Sequence, residues 1–80
     1  MNSLSSQNRI EVFLLSRKDF IAYCIERGIY LDNDLLSYYV KNGFLSPAII
    51  EDGEEYYDPL QIHHINQIES YRQNILRLMP

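Results

Sequence analysis

The chain has 80 residues, 46% hydrophobic and 22% charged, with a net charge of −4, which makes one domain with a thin core. Three Gly and three Pro exclude a low-complexity or collagen-like chain, and no apolar run approaches the roughly 20 residues that cross a bilayer. The single cysteine, Cys24, cannot form an internal disulfide and fits a reducing cytoplasm.

Charge is unevenly spread. From Arg9 to Pro47 there are five basic and five acidic residues, whereas Ala48 to Asp58 holds five acids and no base. The net negative charge therefore comes from one short segment.

In chain order, residues 1–8 (MNSLSSQN) are polar and read as a disordered lead-in. They also lack the basic-then-apolar pattern of a secretory signal, so a cytoplasmic location is expected. Residues 9–80 read as a single domain. IEVFLL, residues 10–15, is branched and aromatic, which predicts a short N-terminal strand. Ser16 and Asp19 then form an S-x-x-D start signal for a first helix. Phe20, Ile21, Cys24 and Ile25 predict one buried stripe along it, and Arg27-Gly28 ends it. After a turn of about four residues, Asp32, Asn33 and Asp34 offer N-caps for a second helix. Leu35, Leu36, Tyr39 and Val40 are its apolar face, and Asn42-Gly43 close it. Two helices so joined are a helix-turn-helix pattern.

Ala48–Glu51 and Glu54–Tyr57 are strand-like runs about Asp52-Gly53, the strongest short hairpin signal. Asp58-Pro59 opens a last helix from about residue 59, with Asp as N-cap and Pro at its first position. Ile62, Ile65, Ile68, Tyr71, Ile75 and Leu78 or Met79 follow at spacings of three and four. That stripe is longer than so small a domain needs. Either the chain is a fragment of something longer, or the stripe meets a helix of another chain, including a second copy in a homodimer.

The predicted class is thus mainly α with a small β-hairpin. The stretch LLSYYVKNGFLSPAIIEDGEEYYDPLQIHHI, residues 35–65, resembles the winged helix-turn-helix of the MerR family of bacterial transcription regulators. In that family the recognition helix runs roughly as L-R-Y-Y-E-x-x-G-L-L-x-P, followed by a wing with G-x-R-x-Y and then S-x-x-x-L. Leu36, Tyr38, Tyr39, Gly43, Leu45 and Pro47 match the first part, and Gly53, Tyr57 and Leu60 the second. The resemblance covers about residues 10–70. It implies a winged fold, with recognition helix at about 33–42 and wing at about 48–57, and regulation of transcription through duplex DNA. Three positions depart from the pattern. The arginine before the paired aromatics falls on Ser37, the acid after them on Val40, and the wing arginine on Glu55. In the family those two arginines are associated with the DNA backbone.

Two functions follow as expectations. As a DNA-binding domain, the second helix enters the major groove and the wing lies on the backbone. The DNA-binding candidates are Arg17, Lys18, Asn33, Ser37, Tyr38 and Lys41, with Asn33 suited to a base edge and the cations and the Tyr38 hydroxyl to phosphates. As an interaction module that keeps the winged fold but has lost DNA binding through its acidic wing, the partner-binding candidates are Glu51, Asp52, Glu54, Glu55, Ile68, Tyr71 and Ile75. An enzyme is not expected, and neither is a cofactor or a metal. His63 and His64 point about 100° apart on a helix, and Cys24 has no ligand-spaced partner.

Overall fold

The computed structural model of the chain describes residues 13–78, with side chains through residue 75. The lead-in at residues 1–8 and the first half of the predicted strand at 10–12 lie outside the described residues. The described residues form three α-helices and a three-stranded antiparallel sheet, mainly helical.

Strand β1 is only Leu15–Ser16; Phe13 and Leu14, expected in it, are irregular and exposed. Helix α1 spans Arg17–Glu26, with Ser16 as N-cap accepting from the Asp19 amide at 3.2 Å. Its buried stripe is narrower than expected. Phe20 and Cys24 are buried and Ile21 is half-buried, but Ile25 is 53% exposed. Arg27, expected in the last turn, instead follows the helix, with its guanidinium 3.6 Å from the centre of the Tyr23 ring.

A six-residue connection, longer than the expected four, leads to helix α2, Asn33–Lys41. Among the three candidate caps Asp32 is the one used, accepting from the Leu35 amide at 2.7 Å. Leu36 and Tyr39 are buried, with Leu35 and Val40 half-buried beside them. Strands β2, Ile49–Glu51, and β3, Glu54–Tyr57, meet at Asp52-Gly53, both with positive φ. Positive φ at both central residues is the primed turn whose twist suits a two-residue hairpin. Strand order is β1-β3-β2, so β3 is central. Asp58 and Gln61 form a capping box around a single 3-10 turn, Pro59–Gln61, which opens helix α3, Ile62–Leu78.

The core is where these elements converge: Phe20, Cys24, Leu31, Leu36, Tyr39, Leu45, Tyr57, Ile62 and Ile65. At its centre the Phe20 and Tyr57 rings stack, centroids 4.9 Å apart. Phe20 belongs to α1 and Tyr57 to β3, so this stack fixes the hairpin against the first helix.

The turn supplies a test of this backbone. A Cβ at Gly53 meets nothing within 4 Å, but φ there is +79°. Gly53→Ala should therefore cost about 1 kcal/mol through the backbone alone. Urea denaturation checks this, with a lowered midpoint and an unchanged slope.

Candidate functional site

Arg17 stands at the first position of α1. β1 pairs with β3 through Ser16 and Tyr56, which brings that helix end against the sheet. From there its side chain reaches three ways. Nη1 donates to Glu55 Oε1 at 2.7 Å; Nε donates to Asn33 Oδ1 at 2.6 Å; Nη2 donates to the Asn33 carbonyl at 2.8 Å and to Ser37 Oγ. Four acceptors thus sit around a guanidinium that carries five N–H donors. The same Glu55 oxygen accepts from the Tyr57 hydroxyl at 2.6 Å. Arg17 and Glu55 side chains are only 24% and 27% exposed. One clasp therefore joins α1, α2 and β3.

This corrects the expectation for Glu55. It was grouped with the acids of the hairpin tip, but successive residues of a strand point to opposite faces. Glu55 shares its face with buried Tyr57, two residues on, and turns inward. Glu51, Asp52 and Glu54 are exposed at the tip. Glu51 lies directly opposite Glu54, a like-charge pair that opposes the hairpin rather than holding it.

Of the DNA-binding candidates, the structure brings Arg17, Asn33 and Ser37 together, with Asn33 and Ser37 each accepting from Arg17. Lys18 is exposed beside them, and Lys41 is exposed at the far end of α2. Tyr38 lies in a second region, tilted against Tyr39 and Phe44 with centroids 6.2 Å from each. There Tyr38, Phe44, Gln67, Ile68, Tyr71 and Ile75 line an open groove of about 450 Å³ between α2 and α3. Tyr71 is 68% exposed and Phe44 47%. The partner candidates Ile68, Tyr71 and Ile75 therefore share one groove, and Glu51, Asp52 and Glu54 lie elsewhere on the hairpin tip. Phe44 was missed as a groove residue; its place just after the helix-ending Gly43, close behind Tyr38 and Tyr39 of α2, was the available signal. Beside the groove Tyr39 donates to Glu69 Oε1 at 3.2 Å, and Arg72 pairs with Glu69 Oε2 at 2.7 Å.

No cluster of three or more His, Cys, Asp or Glu suited to a metal occurs among the described residues. Burial raises the Cys24 thiol to about 11, the state of an inert core thiol. The Tyr57 hydroxyl is also raised, first by burial and then by the Glu55 carboxylate it donates to. No described helix is long and apolar enough to cross a membrane. Comparison with protein-family models, with curated proteins and with solved structures finds no match to the chain.

Two outcomes follow. Arg17→Gln and Glu55→Gln should each destabilise the fold by about 1–3 kcal/mol, the range for a partly buried charged hydrogen bond. The double variant should lose less than their sum, with a coupling of about 1–2 kcal/mol by a double-mutant cycle. The second concerns alkaline pH. Both Cys24 and Tyr57 are protonated more firmly when folded than at their ordinary values of 9.0 and 10.0. Their contribution is thus full below about 9 and is lost as pH rises through the folded values. Thermal melts should stay level up to about pH 9 and fall above it. In Cys24→Ala the fall should begin nearer pH 10.

Proposed function

We propose that the chain is an interaction domain built on a MerR-like winged helix-turn-helix frame, which binds a protein partner and has lost duplex DNA. In this reading α1 and α2 are the helix-turn-helix, α2 occupies the place of the recognition helix, and the β2–β3 hairpin is the wing. The Arg17–Glu55 clasp carries the conclusion. Affinity for duplex DNA comes largely from cations that neutralise phosphates. Here Arg17, the cation beside the start of α2, is satisfied by the wing's own carboxylate, and the wing tip adds three exposed acids.

The partner face is the groove between α2 and α3. Aromatic side chains half-exposed around a concave, mainly apolar surface are the usual anchors of a protein contact. The lining contains no carboxylate, and Arg72, 46% exposed, stands at the edge with one N–H committed to Glu69. That charge balance fits a partner helix with an apolar stripe at i, i+3 or i+4, and i+7, flanked by acidic residues.

A second reading, a DNA-binding regulator, is favoured by one observation: Asn33, Ser37, Tyr38 and Lys41 are all exposed along α2.

Two measurements separate these. Fluorescence anisotropy of the domain with random-sequence duplex DNA at low salt should show no binding. Binding that weakens steeply as salt rises would establish the second reading instead. For the groove, helical peptides with one apolar stripe and either Glu or Lys flanks serve as probes. The Glu-flanked peptide should bind at least about tenfold tighter, and Tyr71→Lys should abolish that binding. Equal binding of both peptides, or none, would rule out this occupant. A dimer by light scattering that Tyr71→Lys dissolves would assign the groove to a second copy of the chain.

A further inference from the structure

Strand β2 is an edge of the sheet, and the order β1-β3-β2 leaves one of its sides unpaired among the described residues. All three of its residues are exposed, Ile49 at 47% and Ile50 at 63%. The register decides which backbone groups are open there. Glu51 and Glu54 flank the two-residue turn, and that pair exchanges the first hydrogen bonds of such a hairpin. Antiparallel pairs alternate, so the next pair, Ile50 and Glu55, exchanges none. The Ile50 N–H and C=O therefore point away from β3, into the open edge. The same alternation turns the Tyr56 carbonyl toward β2, where it accepts from the Ala48 amide at 2.9 Å. Lysine or proline within a strand commonly blunts an exposed edge, and β2 contains neither.

Charge selects what this edge can take. Residues 48–58 hold five acids and no base. Glu51, Asp52 and Glu54 are exposed and form no ion pair among the described residues. Glu51 faces Glu54 across the hairpin, so a cation set beside Glu51 forms a pair and also relieves a repulsion. A second copy of the chain would instead add its own acids to these. We propose that the β2 edge takes up an extended basic segment of a partner protein as a fourth, antiparallel strand. The partner runs opposite to β2, so its first residues meet Asp52 and Glu51 and its next two meet Ile50 and Ile49. The segment therefore reads as two lysines or arginines followed by two branched apolar residues. This surface lies apart from the α2–α3 groove, and either can be lost without the other.

The test uses two blocked peptides, Lys-Lys-Val-Ile-Thr and Glu-Glu-Val-Ile-Thr, titrated into the nitrogen-15-labelled chain. The basic peptide should bind at least about fivefold tighter at low salt, the difference expected of two exposed charge pairs. That preference should shrink as salt rises. Its resonance shifts should centre on Ile49–Glu51, and at saturation the Ile50 amide should exchange at least about fivefold more slowly. N-methylation of the peptide's valine removes the N–H that the Ile50 carbonyl accepts, and it should abolish binding. Glu51→Lys sets opposite charges across the hairpin, so this variant should melt no lower than the unaltered chain. It should also reverse the preference between the two peptides. Tyr71→Lys, which removes the groove contact, should leave the basic peptide's affinity unchanged.

Equal binding of the two peptides, or none at millimolar concentration, would overturn the proposal and leave the groove reading in place. Binding that leaves the Ile50 amide in fast exchange, or that survives N-methylation, would also overturn it, since charge alone would then hold the peptide. An Ile50 amide already protected in the free chain, and exposed on dilution, would overturn it by assigning the edge to a second copy. Loss of basic-peptide binding in Tyr71→Lys would place that peptide in the groove and contradict both readings.

Discussion

A single guanidinium ties this small fold together. Arg17 reaches from the first turn of α1 to the first turn of α2 and to the central strand, and its partners are 16, 20 and 38 residues away in the chain. A core of nine buried side chains leaves little apolar surface to hold a hairpin in place. The Phe20–Tyr57 stack supplies the apolar contact between α1 and β3, and the Arg17–Glu55–Tyr57 chain supplies the polar one beside it. The two act at the same junction. The clasp is only partly screened by solvent, so its loss is felt more than that of a surface ion pair.

The same interaction decides how the functional candidates are read. Surface cations favour nucleic acid only when they are free to neutralise phosphates. Once Arg17 is occupied by a carboxylate of the hairpin, exposed Lys18 and Lys41 stand against exposed Asp34, Glu51, Asp52 and Glu54. Four of the exposed apolar side chains, by contrast, gather in one place, while others such as Ile25, Ile49, Ile50 and Leu60 lie elsewhere. Tyr38, Phe44, Tyr71 and Ile75 border one groove, on a helix stripe whose first two members, Ile62 and Ile65, are buried. The stripe that looked too long for the domain is thus divided, with one end in the core and the other open.

Local signals in the sequence carried most of the architecture. Ser16, Asp32 and Asp58 cap their helices through side-chain bonds to amides two or three residues away. Asp52-Gly53 forms the turn that the pair favours, and Gly28 and Gly43 take positive φ after their helices. Each of these is decided by its neighbours in the chain. Ile25 and Glu55 were misplaced because their environments are set by distant segments. Ile25 matched the helical stripe, but among the described residues no element covers that side of α1. Glu55 was grouped by composition with four other acids, although the period of two from buried Tyr57 pointed it inward. Recognising its partner needed the strand pairing of Ser16 with Tyr56, which no local pattern discloses. The groove was half legible. Ile68, Tyr71 and Ile75 followed from helical spacing, whereas their meeting with Phe44 depends on how α3 packs across α2.

The clasp itself is the point on which these statements turn, and nitrogen-15 NMR of the arginine side chains observes it directly. In the folded domain the Arg17 Nε–H should give a sharp, slowly exchanging signal, with through-space contacts to Asn33. That signal should collapse toward the solvent-exposed position on Asn33→Ala and shift on Glu55→Gln, whose carboxylate accepts from Nη1 of the same guanidinium. An Arg17 Nε–H that exchanges as fast as a free arginine in the folded chain, and is indifferent to Glu55→Gln, would contradict the account.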